Sequence, residues 1–236
     1  DGRWQDALTR YEAMAKDSTN AEQRVPANLS AADLMIQLAR PQDAIDLLES
    51  QLDTLDSDSW LFKEGRRRIE ATFRGRNELP ALVAYYEARV AGYPDDLDAM
   101  ARLARTLSLQ NRPTDAAAWY RKAIELAPSN VALRESLIEQ LVRDGHIVDA
   151  IAQYEQMEPF QSGNRDHIEQ WGQLYLSRKD LPLQERRSRA AEVWERIIID
   201  RPKDPVALSR LAELLRRAEL TDRVLDLYRK AIDLAP

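Results

Sequence analysis

The residues that could do acid–base or metal chemistry are few and scattered along this chain. The two histidines, His146 and His167, are not one helical turn apart and form no H-E-x-x-H motif. Glu135 and Glu139 lie one turn apart, but 40 acidic residues produce such pairs by composition alone. The chain has no glycine-rich phosphate loop, and its lack of cysteine excludes disulfides and thiol nucleophiles. We therefore expect no enzyme activity, metal or cofactor.

Three consecutive arginines, Arg66, Arg67 and Arg68, are flanked by aromatic residues. Arginines that pair with phosphates and rings that stack on bases are typical of single-stranded nucleic-acid binding. Consecutive residues of a helix point about 100° apart, however, and the acidic segment at 40–58 would repel a phosphate backbone. We expect these arginines to pair with the carboxylates of that segment, and nucleic-acid binding is an alternative that the sequence does not favour.

The composition predicts an all-helical protein. Apolar residues make up 44% of the 236 positions and charged residues 31%, which is enough for a core. Only seven glycines and three phenylalanines are present, so little material exists for hairpins or sandwich strands. No apolar run reaches the roughly 18 residues of a membrane span, and no leader precedes Asp1, so we expect no membrane insertion. The sequence does not indicate a compartment.

The chain repeats itself. The segment DAAAWYRKAIELAP at 115–128 returns as RVLDLYRKAIDLAP at 223–236, and a looser copy begins the chain. Counted back from Pro128, two blocks of 34 residues follow each other without a gap. In the first block, small alanines lie where two helices approach closely, and the large Tyr120 fills the space that they leave. The inner positions of that block are Leu103, Ala104 and Leu107, then Ala116, Tyr120 and Ala123.

These residues and their period resemble the tetratricopeptide repeat family. The resemblance implies an all-α fold, a right-handed α-solenoid of antiparallel helix pairs forming a single array. The same register places Trp171, Gly172, Trp194, Leu211, Ala212 and Tyr228 in the core. The implied units are a half repeat at 1–16 and repeats at about 25–58, 63–96, 97–130, 131–164, 165–204 and 205–236.

Several positions depart from the repeat pattern. Residues 60–62 fall in an excess between repeats, and Glu70 stands where a small residue is usual. Pro159 comes early, so the helix before it should stop short and leave a connector up to residue 164. Six extra residues at 181–186 are expected to lengthen a second helix by more than a turn, with Asp180 as its cap. A projecting binding loop and disorder are the alternatives.

The resemblance also implies a ligand groove lined by the first helix of each repeat. Carried over, the groove is basic from Arg67 to Arg105 and mixed or acidic after Glu135, so a ligand with acidic residues toward the basic end is expected. The candidate groove residues are Arg67, Arg74, Arg105, Ser108, Leu109, Glu135, Glu139, Arg143, Glu169 and Gln173.

The sequence thus predicts a non-catalytic scaffold that holds a peptide or protein segment in this groove. A structural spacer that presents domains outside this segment is the alternative. Neither the identity of the partner nor the oligomeric state follows from the sequence.

Overall fold

The computed structural model describes residues 2–57, 59–161 and 163–235. Helices include 78% of the chain, and the described residues contain no strand, which confirms the all-α prediction. Most connections are three or four residues long, so consecutive helices pack antiparallel. In this part of the chain the thirteen α-helices are α1 (Gly2–Asp17), α2 (Ala21–Gln37), α3 (Pro41–Leu52), α4 (Trp60–Gly75), α5 (Leu79–Gly92), α6 (Leu97–Leu109), α7 (Pro113–Leu126), α8 (Val131–Arg143), α9 (Ile147–Met157), α10 (Arg165–Ser177), α11 (Leu183–Trp194), α12 (Pro205–Arg217) and α13 (Val224–Leu234).

Five helix pairs turn in the same way. The second residue after the first helix is left-handed, with φ between 58° and 79°, and the next amide donates to the carbonyl five residues back. This is the Schellman ending, which satisfies carbonyls that the helix leaves free. It sets the antiparallel return of each second helix. The left-handed residues are Ala39, Asn77, Asn111, Gly145 and Glu219.

Side chains cap the starts of several helices. The Asn130 side chain accepts from the Leu133 amide at 3.2 Å, and Asn164 does the same for His167. Such caps satisfy amides that have no partner inside the helix. They fix where α8 and α10 begin.

The chain divides into two compact units. The first is Asp1–Thr106 and the second Leu107–Pro236, so the boundary lies within α6. In the first unit, consecutive helices from α1 through α5 pack against each other; in the second, consecutive helices from α7 through α13 do so.

The core residues lie where the register predicts, with one exception. Tyr120, Trp171 and Trp194 are at most 5% exposed, and the predicted alanines and leucines are also buried. Tyr228 is only half-buried, because α13 packs mainly against α12.

Residues 60–62 form the first turn of α4. The Ser59 hydroxyl accepts from the Phe62 amide at 3.2 Å and caps the helix, while Leu61 and Phe62 are buried. The excess residues therefore lengthen a first helix toward its N-terminus.

Pro159 ends α9 early, as predicted. The helix stops at Met157, and residues 158–160 continue as a single 3₁₀ turn. Pro159 cannot donate an amide hydrogen, so the α-helical ladder cannot continue through it.

The six extra residues are shared between a turn and a helix. Residues 183–186 add just over one turn to the start of α11, which confirms part of the predicted extension. Residues 181 and 182 stay in the turn. The predicted cap by Asp180 is wrong, because this carboxylate is 2.5 Å from the Arg178 guanidinium and Pro182 is the capping residue.

Candidate functional site

The second unit contains a trough between α8 and α10, with α9 beneath it. Two adjoining cavities of about 420 Å³ and 470 Å³ form the trough and share Ile138, Glu139, Tyr154 and Gln170. Side chains one turn apart on each first helix line its sides, because residues at i, i+3 and i+4 share a helix face. The remaining lining residues are Glu135, Val142 and Arg143 on α8, Asp166, His167, Gln173 and Leu174 on α10, and Asn164.

Tyr154 forms the polar part of the floor. Its hydroxyl donates to the Gln170 side-chain oxygen at 2.8 Å, and its ring stacks on Trp171 with centroids 6.3 Å apart. Burial, together with the negative charges of Glu135 and Glu139, raises the pKa of Tyr154 to about 12. The floor therefore stays neutral and lies in a negative field.

One end of the trough is acidic. Glu135 and the imidazole of His167 are joined by a 2.6 Å hydrogen bond through Nε2. Glu139 and Asp166 are exposed and have no ion-pair partner within the described ranges. These two carboxylates are thus available to a cation.

The other end carries one cation. Arg143 is exposed and donates to the Ser108 hydroxyl at 3.0 Å. No carboxylate among the described residues pairs with it, so its charge is uncompensated locally. The trough is acidic at one end and basic at the other.

The structure brings together some of the predicted groove residues and not others. Glu135, Glu139, Arg143 and Gln173 line the trough, and Ser108 contacts Arg143. In contrast, Glu169 points to α12, where Arg210 Nε donates to it at 2.7 Å. Leu109 is 54% exposed and lines neither cavity.

Sequence reasoning missed several trough residues, among them Tyr154, His167 and Gln170. Tyr154 aligns with the core position of Tyr120, so the repeat pattern indicates packing and no ligand contact. His167 and Gln170 fall at first-helix positions outside the family's usual ligand set. The signal that could have identified the floor of the trough is the pairing of the Tyr154 hydroxyl with a polar partner, Gln170, on the following first helix.

In the first unit, local carboxylates hold two of the three predicted groove arginines. Arg67 makes two 2.7 Å hydrogen bonds to Glu64 on its own helix, and these bonds lower the pKa of Glu64 to about 2. Arg74 lies 3.4 Å from Glu70. Arg105 is exposed and has no ion-pair partner in the described part of the chain.

Arg66 is buried and does not pair as predicted. It donates to the Tyr85 hydroxyl at 2.9 Å and to Asp96 at 3.0 Å, and its side chain is fully buried. Arg68 reaches Asp33 at 2.5 Å. The expected pairing of this arginine cluster with the segment 40–58 is wrong, because the helix turns each side chain toward a different neighbour.

Glu70 replaces a small residue because it joins a buried polar network. It accepts from the Tyr86 hydroxyl at 3.0 Å and from Arg102 at 2.8 Å. Arg102 also bonds to Asp98, which lies 3.6 Å from Arg66. Buried charges persist only when paired in this way.

The described residues contain neither a cluster suited to a metal ion nor a helix that could span a membrane. No group of three or more histidine or acidic residues among them has the arrangement of a metal site. None of their helices combines the length and apolar character of a membrane span.

Comparisons with known proteins identify the repeat. Residues 76–131 match the family model described as tetratricopeptide repeat, and no curated protein matches the sequence. The fold is similar to the C-terminal part of a TPR repeat-containing protein from Cytophaga hutchinsonii, with 12% identity, a TM-score of 0.60, and coverage of 98% of this chain and 89% of that one.

Two further solved structures match with lower TM-scores. YrrB, titled a TPR protein with an unusual peptide-binding site, is 18% identical at a TM-score of 0.46, covering 84% of this chain and 94% of its own. MamA from Desulfovibrio magneticus is 13% identical with a TM-score of 0.46, and the match covers 71% of this chain and 92% of the MamA chain. Residues 76–131 thus match the tetratricopeptide repeat family, and antiparallel helix pairs continue on both sides of this segment.

Proposed function

We propose that this protein is a non-catalytic scaffold and that a segment of a partner protein binds in the trough of α8, α9 and α10. Tetratricopeptide repeats generally serve as protein-interaction modules. The observation that carries the proposal is the trough itself, two adjoining cavities with an apolar and tyrosine floor and charged sides. Clefts with a few placed polar groups are the usual form of a binding site.

The charges of the trough favour a particular orientation of the segment. Glu139 and Asp166 attract a lysine or arginine side chain at one end, and Arg143 attracts a carboxylate at the other. In the first unit, Arg67 and Arg74 already have carboxylate partners, so Arg105 is the position there that attracts an acidic residue. These attractions weaken as salt rises, because the Debye length falls below about 10 Å above 0.1 M.

Two alternatives make different demands. A spacer that only separates other domains needs no trough with unpaired charges. Nucleic-acid binding needs a cationic surface, yet Arg66 is fully buried and Glu64 is hydrogen-bonded to both Arg67 and Arg68. The described arrangement supports the scaffold over both.

The test is a screen of short basic, acidic and neutral peptides, together with a single-stranded oligonucleotide. The parent is compared with a Glu139→Lys/Asp166→Lys variant. A Glu125→Lys/Asp149→Lys variant is the matched control, since it changes the net charge equally at exposed sites outside the trough.

We expect basic peptides to bind the parent and the control, and to lose at least about tenfold in affinity for the trough variant. Equal losses in both variants would contradict a site in the trough. Absence of any peptide binding favours the spacer, and binding of the oligonucleotide alone favours the nucleic-acid alternative.

A further inference from the structure

Two apolar positions of the repeat carry polar rings at one place in the chain. Trp171 occupies the position that is leucine in three other repeats, and His167 one that is alanine or leucine there. The corresponding residues at both positions are buried hydrophobic side chains, which need no hydrogen-bond partner. The equivalent residues are Leu103, Leu137 and Leu211, and Ala99, Leu133 and Ala207.

Both rings line a third cavity, separate from the two that form the trough and here called the edge cavity. It has a volume of about 240 Å³ and lies among Met157, Ile168, Trp171 and Ile199, with His167 in its wall. About eight water molecules occupy this volume in liquid water, at roughly 30 Å³ each. It is large enough for one substituted aromatic ring and too small for most drug-sized ligands.

The edge cavity lies where two helices end irregularly. The second helix α7 runs 14 residues, whereas α9 stops after 11 and α11 after 12, and both continue as 3₁₀ turns. These turns supply Glu158 and Arg196 to the lining, and Ile199 follows the second turn. The cavity is thus specific to this pair of repeats.

Two residues of the edge-cavity lining each have a ring nitrogen that is buried without a partner among the described residues. Trp171 is 5% exposed, and its Nε1 has no hydrogen-bond partner among the described residues; the same holds for His167 Nδ1. The indole N–H is a donor only. The bond of His167 Nε2 to Glu135 leaves Nδ1 of the neutral ring as an acceptor. The pair of nitrogens therefore offers one donor and one acceptor.

The charged side chains that line the edge cavity do not attract an anion, because the arginine among them is paired with a carboxylate. Arg196 pairs with Glu158 and lies over the Trp171 ring, with 4.9 Å from its guanidinium carbon to the ring centroid. Asp200 adds a further carboxylate. A neutral ligand is favoured over a negatively charged one.

We propose that the edge cavity binds a small neutral molecule with an aromatic or aliphatic body and a primary carboxamide. The carboxamide oxygen accepts from Trp171 Nε1, and its NH₂ group donates to His167 Nδ1. The body lies against Met157, Ile168 and Ile199. This proposal does not depend on the use of the trough, which shares only Tyr154 and His167 with the lining of the edge cavity.

Benzamide, acetophenone and benzoate test this chemistry, because they have nearly the same shape. Benzamide offers an acceptor and a donor, acetophenone an acceptor only, and benzoate acceptors with a negative charge. Ligand-observed saturation-transfer NMR on the full chain ranks the three. The variants are Trp171→Phe, which keeps a ring and removes the N–H, and Ile199→Trp, which fills the cavity from an exposed position.

Trp119→Phe is the matched control, since this tryptophan lies on α7 away from the edge cavity. We expect benzamide to bind the parent and the control at least tenfold more tightly than either other probe, and to lose at least tenfold in both cavity variants. Helicity measured by circular dichroism verifies that each variant is folded. No benzamide binding by the parent, equal binding of all three probes, or undiminished binding by folded Trp171→Phe would overturn the proposal.

Discussion

Gly172 shows how a single residue fixes the approach of two helices. A Cβ atom added at Gly172 would lie 2.1 Å from Trp194 Nε1, inside any normal contact distance. The Trp194 side chain is 1% exposed and donates to the Glu169 carbonyl at 3.1 Å, so it has no room to move. The closeness of α10 and α11 therefore depends on the missing side chain.

Gly172→Ala is expected to lower the free energy of unfolding by about 1–3 kcal/mol, the usual cost of overpacking a core. Gly92→Ala is the control, since a Cβ there meets nothing within 4 Å and alanine has the higher helix propensity. Denaturant melts compare the two variants. Equal stability of Gly172→Ala and the parent would contradict the described packing.

The buried tyrosines predict how stability changes at alkaline pH. Burial raises the pKa of Tyr85 and Tyr154 to about 12, and raises that of Tyr86 further, with Glu70 contributing. A raised pKa means that the folded state holds the proton more tightly than the unfolded state. The stabilisation is complete below about pH 10, the ordinary tyrosine value, and is lost as pH rises toward 12 and above.

A titration of tyrosinate absorbance in the folded protein should show a late group, made up of Tyr85, Tyr86 and Tyr154, that ionises above the ordinary tyrosine value of about pH 10. Tyr86→Phe should remove one residue from the late group. Titration of all eight tyrosines together near pH 10 would contradict the burial of these hydroxyls.

At the residue scale, the sequence predicted packing better than polar contacts. Tyr120, Trp171 and Trp194 are buried because their register positions face the neighbouring helices. The partners of Arg66 were predicted wrongly, since they lie on α5 and beyond it, at distances in space that spacing along one helix does not determine.

At the scale of elements, the left-handed turns decide how each helix pair closes. Ala39 and Gly145 occupy equivalent turns with φ of 60° and 79°. A residue with a Cβ pays about 1–2 kcal/mol in this conformation, whereas glycine adopts it without steric cost.

Gly145→Ala is therefore expected to lower stability by about 1 kcal/mol. The reciprocal change Ala39→Gly should leave stability equal or higher, because relief of the steric cost offsets the greater entropy of glycine in the unfolded chain. Thermal and denaturant melts of both variants measure the two effects. A stabilised Gly145→Ala would contradict the assigned turn.

The hydrophobic periodicity of the sequence predicted which segments are helices and roughly where they lie. It did not always predict the residues at which a helix begins or ends. Pro159 gave the end of α9 correctly because proline lacks the amide that the helix needs. Asp180 failed as a cap since its carboxylate is bound to Arg178, a competing local interaction that the sequence pattern does not rank.

At the scale of the whole molecule, the 34-residue period predicted an all-helical array of pairs. It did not predict the two compact units with a boundary inside α6. A constant repeat length does not determine how contacts between residues are distributed along the array. The acidic part of the trough was anticipated at Glu135 and Glu139, while its tyrosine floor came from a second helix that the family's ligand set omits.

The central claim is that a partner segment lies in the trough, and amide hydrogen exchange tests it most directly. With the tightest peptide of the screen at saturation, the account predicts new protection at the peptide's own amides and slower exchange along α8 and α10, with little change along α11 and α13. Protection confined to α11 and α13, or no protection despite saturation, would contradict binding in the trough.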